Sequence, residues 1–179
     1  MFTCNISKFK CAFSISGIAL EQLEQYAPEV IDSFKELANT GSVEFLGETY
    51  AHSLSSIYDT NEFESQIKAH ADKIESLFGQ RPTAFRNSEL IYSDEIGEII
   101  SKAGFKVMLL DEAKHILGWK SPNFVYNHSY ISKLKLLIRN QKLSDDIAFR
   151  FSHNNWHDYP LTAEKFIGWL TSMPENEKI

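Results

Sequence analysis

The sequence predicts an α/β fold with a mainly parallel sheet. Three observations point to it. Short apolar runs of strand length alternate with stretches of helical periodicity, in the order strand, helix, strand, helix, strand, helix, strand. Glycine or an Asn-Thr-Gly triplet closes the helical stretches. Each apolar run also ends in polar residues, as strands do when their C-terminal ends share a functional face.

The elements follow in chain order. Lys10 to Ile15 (KCAFSI) is an apolar run broken by Ser16 and Gly17. Leu20 to Tyr26 is a short helix. Pro28 suits the first turn of the next helix, where its missing N–H has no helical partner. Val30, Ile31, Phe34, Leu37 and Ala38 then recur at helical spacing, and Asn39, Thr40 and Gly41 stop them. Val43 to Leu46 is the second strand. Thr60 or Asn61 caps a long helix, Asn61 with Glu64 resembling a capping box. Its apolar face is Phe63, Ile67, Ala71, Ile74 and Phe78, and Gly79 ends it. Thr83 to Arg86 is the third strand. Ser93 to Ala103 is a helix closed by Gly104. Phe105 to Leu110 and Leu134 to Arg139 are the fourth and fifth strands. Asp145 to Phe151 and Thr162 to Leu170 are read as helices, and PENEKI at the end as solvated.

The polar residues after the strands form the candidate site. Ser14 and Ser16 follow the first, Glu48, Tyr50 and His52 the second, Arg86, Asn87 and Glu89 the third, Asp111 and Glu112 the fourth, Arg139 and Asn140 the fifth. A parallel sheet places these on one face, so Glu89 is expected to share a surface with His52, Glu48, Asp111 and Arg139. Arg86 and Asn87 are expected to hold Glu89 ionised, since a nearby cation and hydrogen bonds favour the charged carboxylate. The plainer alternative is a glutamate at a helix start. Five strands are too few for a closed barrel of seven or eight. The sheet is therefore open, or is part of a barrel.

Composition bounds the function. With 43% hydrophobic and 23% charged residues, 179 residues make one domain with a real core. A net charge of -6 without a basic block makes the chain a poor candidate for nucleic acid or anionic membrane, and neither is expected as a partner. No apolar run approaches the roughly 18 residues of a membrane span. Cys4 and Cys11 form no disulfide framework and no CxxC. With no charged leader and apolar run at the start, a cytoplasmic protein is expected. The aromatic content suits a Phe-rich core and also sugar stacking. No GxSxG, P-loop or GxGxxG is present, and no cofactor is expected. His153 and His157 in HNNWH have the spacing of two ligands on one helical face, but Asn154 and Asn155 weaken a helix there and no third ligand follows. No metal site is expected.

Two stretches together carry a resemblance. GETYAHSL (Gly47 to Leu54) and FRNSELIY (Phe85 to Tyr92) resemble glycoside hydrolase family 57, in its α-amylase and α-amylase-like branch. LIRNQKLSDDIAFRFS (Leu137 to Ser152) and YPLTAEKFIGWL (Tyr159 to Leu170) are similar to that branch too, so the likeness runs from about Lys10 to Leu170. The resemblance implies a (β/α)7 barrel of the glycoside hydrolase/deacetylase-like kind. It also implies a retaining reaction on α-glucans or maltooligosaccharides, and Glu89 as the nucleophile that forms a covalent glycosyl-enzyme. A second carboxylate would then protonate the leaving oxygen and later activate water. His52, Glu48, Arg86, Asn87 and Asp111 would line the same cleft.

The departures are specific. The family's first motif, His-Gln-Pro, has no match, nor does the Asp-Tyr-Glu-Thr stretch that carries its acid/base aspartate. Ser88 stands where Thr is common. The expectation is a single domain over residues 1–179, the middle of a catalytic barrel without its first and acid/base strands, with little activity alone. Candidate second carboxylates within the chain are Glu48, Asp111, Glu112, Asp145 and Asp146. The alternatives are a 4-α-glucanotransferase or branching enzyme, a non-catalytic glucan-binding remnant, and a metal-dependent deacetylase. The last requires a second histidine four residues after His52, where this chain has Ser56.

Overall fold

The structure is a computed structural model, and it describes residues 9–173. Cys4 and the PENEKI segment lie outside the described residues. Parallel strands β1 (Cys11–Phe13) and β2 (Val43–Phe45) pair with Ala12 opposite Glu44. Strands β3 (Ala84–Arg86), β4 (Val107–Leu110) and β6 (Lys135–Ile138) form a second parallel ladder. A parallel bridge between Gly47 and Phe85 joins the two. Five parallel strands thus follow the order expected. One strand was not expected: β5 (Tyr126–Asn127) runs antiparallel along β6 at the edge. At two residues it is too short to leave a period-two pattern.

Eight helices are described, four of which pack on one face of the strands. The eight are α1 (Gly17–Tyr26), α2 (Pro28–Asn39), α3 (Ser55–Tyr58), α4 (Thr60–Phe78), α5 (Asp94–Lys102), α6 (Lys114–Leu117), α7 (Gln141–Asp145) and α8 (Ala163–Thr171). Register puts Phe13 beside Phe45, and Phe85 beside Met108 and Leu136. Those residues pack under the helices in two apolar clusters. In the first, Phe45 stacks on Phe78 of α4 with ring centroids 4.1 Å apart. In the second, Phe63 and Phe105 meet Phe85 edge to face. Phe45, Phe63, Phe78, Phe85 and Phe105 are thus core, whereas nine other described aromatic residues, Trp119, Tyr26 and Phe149 among them, are exposed, so the aromatic content is not mainly core, contrary to expectation. The opposite face carries Arg86, Leu109 and Leu137, all half-buried.

Local differences have physical causes. Helix α1 begins at Gly17, three residues before the expected Leu20, because the Ser16 hydroxyl accepts the Ala19 N–H. Helix α4 is capped by Asp59, whose carboxylate accepts the Glu62 N–H, so Asn61 is inside the helix and not its cap. Residues 146–150 form a π turn in continuation of α7. The HNNWH segment is a run of turns, so His153 and His157 do not share a helical face. Cys11 is half-buried.

Candidate active site

The site is built where β2 and β3 end. Gly47 lets the chain pass the Phe105 ring: a Cβ there would lie 2.5 Å from it. The next residue, Glu48, is thereby held inside, 2% exposed. Its N–H meets His70 Nδ1 of α4 at 3.3 Å, and His70 Nε2 meets the Ile15 carbonyl at 2.9 Å. Thr49 and Ser88 share a 2.8 Å hydroxyl hydrogen bond, which ties the loop after β2 to the turn after β3. Beyond it the chain turns back, and His52 adopts φ 53°.

The turn after β3 is a single 3-10 turn over Ser88–Leu90, with Glu89 at φ 54° and Leu90 at φ 55°. Left-handed backbone is strained for residues with a side chain, and such strain gathers at functional positions. The turn lifts the Glu89 side chain into solvent, 72% exposed. His52 bridges two carboxylates: its Nδ1 is 3.1 Å from Glu48 Oε2 and its Nε2 is 3.5 Å from Glu89 Oε1. The Ser14 hydroxyl, from the end of β1, donates to Glu48 Oε1 at 2.8 Å. Ser14, Glu48, His52 and Glu89, from three strand ends, thus form one row.

The end of β4 adds the other side. Asp111 N–H donates to the Leu90 carbonyl at 3.3 Å, and its carboxylate accepts Arg139 Nε at 2.9 Å. Arg139 also approaches Asp145 at 3.6 Å. Glu89 and Asp111 border a pocket of about 460 Å³ whose floor includes Ile91, Leu110, Tyr126 and Ile138. The strand ends thus bring Glu89 beside His52 and, across one pocket, near Asp111 with its partner Arg139, while Glu48 lies buried behind His52 and not on the surface.

Arg86 and Asn87 are placed differently from expectation. Asn87 is fully buried, and its amide donates to Ser56 Oγ and the Ile91 carbonyl, both at 3.0 Å. It shapes the turn under Glu89 without touching the carboxylate. No hydrogen bond or ion pair joins Arg86 to Glu89 among the described residues; Arg86 lies on the half-buried sheet face in register with Leu109. Asp146 is enclosed by Lys142 and Arg150 and belongs to the α7 region. Among the described residues, no group of three or more His, Cys, Asp and Glu is arranged to hold a metal ion.

Sequence reasoning missed His70 as part of the site. The signal was available: it is a polar residue within the apolar stripe of α4, three positions after Ile67, and it is fully buried. Burial lowers its pKa, against the smaller upward pull of the Ile15 carbonyl and Glu48.

Comparison with known proteins gives the lineage. The profile of the family described as "Glycosyl hydrolase family 57" matches residues 1–179. A Methanocaldococcus jannaschii protein named "Putative alpha-amylase" is 44% identical over 167 residues, 93% of this chain and 35% of that protein. The chain therefore spans about a third of that relative's length. Among solved structures, a 4-alpha-glucanotransferase from Thermococcus litoralis superposes with a TM-score of 0.70 at 18% identity, over 82% of this chain and 23% of the other. A structure titled a putative polysaccharide deacetylase, from Mycobacterium smegmatis, superposes with a TM-score of 0.62 at 16% identity, over 93% of this chain and 54% of the other. At those identities the likeness is one of fold, a partial (β/α)7 barrel with parallel strands. The match over every residue settles the lineage: the chain belongs to glycosyl hydrolase family 57.

Proposed function

We propose that this chain supplies the nucleophile side of a retaining α-glucan site, with Glu89 attacking the anomeric carbon. One observation carries the reading: an exposed carboxylate on strained backbone at a strand's C-terminal end, beside an imidazole and at the rim of a pocket. The 44% identity to a protein named "Putative alpha-amylase" supports an amylase-type substrate. Asp111 would contact the sugar, and His52 would line the cleft beside Glu89. Glu48, Arg86 and Asn87 would support the cleft wall.

A retaining reaction needs a second carboxylate about 5–5.5 Å from the first. The resemblance leaves that acid/base without a match in these 179 residues. The chain alone is therefore proposed to turn over maltooligosaccharides poorly, since general acid–base assistance is worth about 100- to 10,000-fold.

The test avoids that dependence. Fluoride leaves a glycosyl fluoride without protonation, so a glucosyl fluoride with a second fluorine at C5 needs only the nucleophile. Glu89 Oε forms the C1–O bond, the C1–F bond breaks, and fluoride departs. Mass spectrometry should find one sugar on the peptide bearing Glu89, and none in Glu89→Gln. A label elsewhere, or none on folded wild-type chain, rejects the reading.

Transfer is the second reading, suggested by the printed name of the Thermococcus litoralis neighbour. It uses the same nucleophile and passes the glycosyl unit to a sugar hydroxyl. Redistribution of glucan chain lengths without new reducing ends would establish it.

A further inference from the structure

We infer that Glu48 fixes the tautomer of His52 and thereby makes His52 the positioning residue of Glu89, an inference that rests on reading Glu89 as the nucleophile.

Glu48 is 2% exposed, and a buried carboxylate requires donors for its oxygens. Oε1 receives the Ser14 hydroxyl at 2.8 Å. Oε2 has His52 Nδ1 at 3.1 Å. An ionised carboxylate only accepts, so Nδ1 must carry the hydrogen. Isolated imidazole side chains favour the hydrogen on Nε2, so this is an imposed tautomer. The backbone of Glu48 is fixed as well, its N–H meeting His70 Nδ1. The carboxylate therefore has little freedom to follow a different ring.

The consequence falls on Nε2. With Nδ1 committed to Glu48, Nε2 is the nitrogen left to face Glu89, 3.5 Å from its Oε1, and it presents a lone pair. Two acceptors facing each other repel, so the ring keeps the Glu89 carboxylate off itself and turned toward the open side of the cleft. The charged groups facing the ring are Glu48 from the loop after β2 and Glu89 from the turn after β3. Left-handed backbone at both His52 and Glu89 holds the two side chains toward each other. The family assignment says nothing of this arrangement; it follows from the row Ser14, Glu48, His52, Glu89.

Nitrogen-15 NMR on the chain as it stands decides the tautomer. At a pH where the ring is neutral, the His52 nitrogens should report hydrogen on Nδ1. Glu48→Gln should return the main population to Nε2. A wild-type spectrum with the hydrogen on Nε2 overturns the inference, and it does so even if the variant fails to fold. The positioning role has its own readout. His52→Ala should slow labelling of Glu89 by the glycosyl fluoride about 10- to 100-fold at saturation, with the half-saturating concentration little changed. An unchanged maximal labelling rate overturns the role. Absent labelling in wild type, with the Nδ1 tautomer intact, overturns the proposed function and upholds the tautomer.

Discussion

His52 and Glu89 meet at 3.5 Å, and each stands on left-handed backbone, at φ 53° and 54°. Neither is glycine, so the fold tolerates strain at both ends of one contact. A residue with a Cβ in that region is about 1–2 kcal/mol less favourable than in right-handed geometry. Glu89 recovers little of this through packing, being 72% exposed. Glu89→Gly should therefore stabilise the chain by about 1 kcal/mol, raising the thermal midpoint roughly 2–4 °C. Glu89→Gln keeps the Cβ and should not. Equal midpoints for the two variants would remove strain from the account.

Gly17 sets the approach of Tyr50. A Cβ on Gly17 would lie 2.5 Å from the Tyr50 ring, whose hydroxyl donates to Glu21 on the same helix. Burial and Glu21 together push the Tyr50 pKa up to about 12. The ring is thus anchored at its far end, and Gly17→Ala must displace the loop between Glu48 and His52. We expect a loss of about 1–3 kcal/mol in urea unfolding. Gly168→Ala, in α8 with nothing within 4 Å of the new Cβ, should gain up to about 1 kcal/mol. The same substitution thus has opposite signs at two helical positions. Matching effects would show that the Tyr50 contact yields without cost.

The contrast between what was legible and what was not has a single physical origin. Phe63, Ile67, Ala71, Ile74 and Phe78 announce α4 because burial imposes a period on neighbouring residues. The grouping of Glu48, His52, Glu89 and Asp111 was legible for a related reason: a parallel sheet sends every strand's C-terminal end to one side. Pairings between distant polar residues impose no period. The bonds Ser14–Glu48 and Thr49–Ser88 join different strand ends, Asn87–Ser56 joins a strand end to α3, and nothing in the local sequence selects the partner. The cap of α4 failed at shorter range. Asp59, Thr60 and Asn61 are all cap formers, and only the backbone decides among them.

Asp146 makes the acid limb of stability testable. It is 1% exposed, between Lys142 at 2.9 Å and Arg150 at 2.5 Å. Burial alone would raise its pKa, but the hydrogen bonds from Lys142 and Arg150 override it and hold the carboxyl below the ordinary 3.8. A depressed folded-state pKa stabilises above the unfolded value and is lost as pH falls through the folded one. The loss should therefore begin as pH approaches about 3.8 and deepen below it. Asp146→Asn should lower stability at neutral pH and flatten this part of the profile. A variant curve parallel to wild type below pH 4 would exclude Asp146 as its source.

His70 governs a milder pH range and reaches the site through backbone alone. Its Nε2–H donates to the Ile15 carbonyl and its Nδ1 accepts the Glu48 N–H, so the neutral ring satisfies both strand ends. A second proton would have to displace the Glu48 N–H inside a fully buried pocket. Burial accordingly lowers the His70 pKa from its ordinary 6.5. Below pH 6.5 the unfolded chain binds a proton that the folded chain refuses, so stability must fall as pH drops from that point toward the folded-state value. His70→Leu fills similar space but orphans the Ile15 carbonyl and the Glu48 N–H, each worth about 1–3 kcal/mol when buried unpaired. The variant should be less stable at pH 8 and should lose the wild-type decline just below pH 6.5. Because Glu48 holds the His52 ring, its release should also scatter the His52 nitrogen resonances between the two tautomers. A stable His52 signal in His70→Leu would mean that Ser14 and the loop suffice to hold Glu48 without the histidine beneath it.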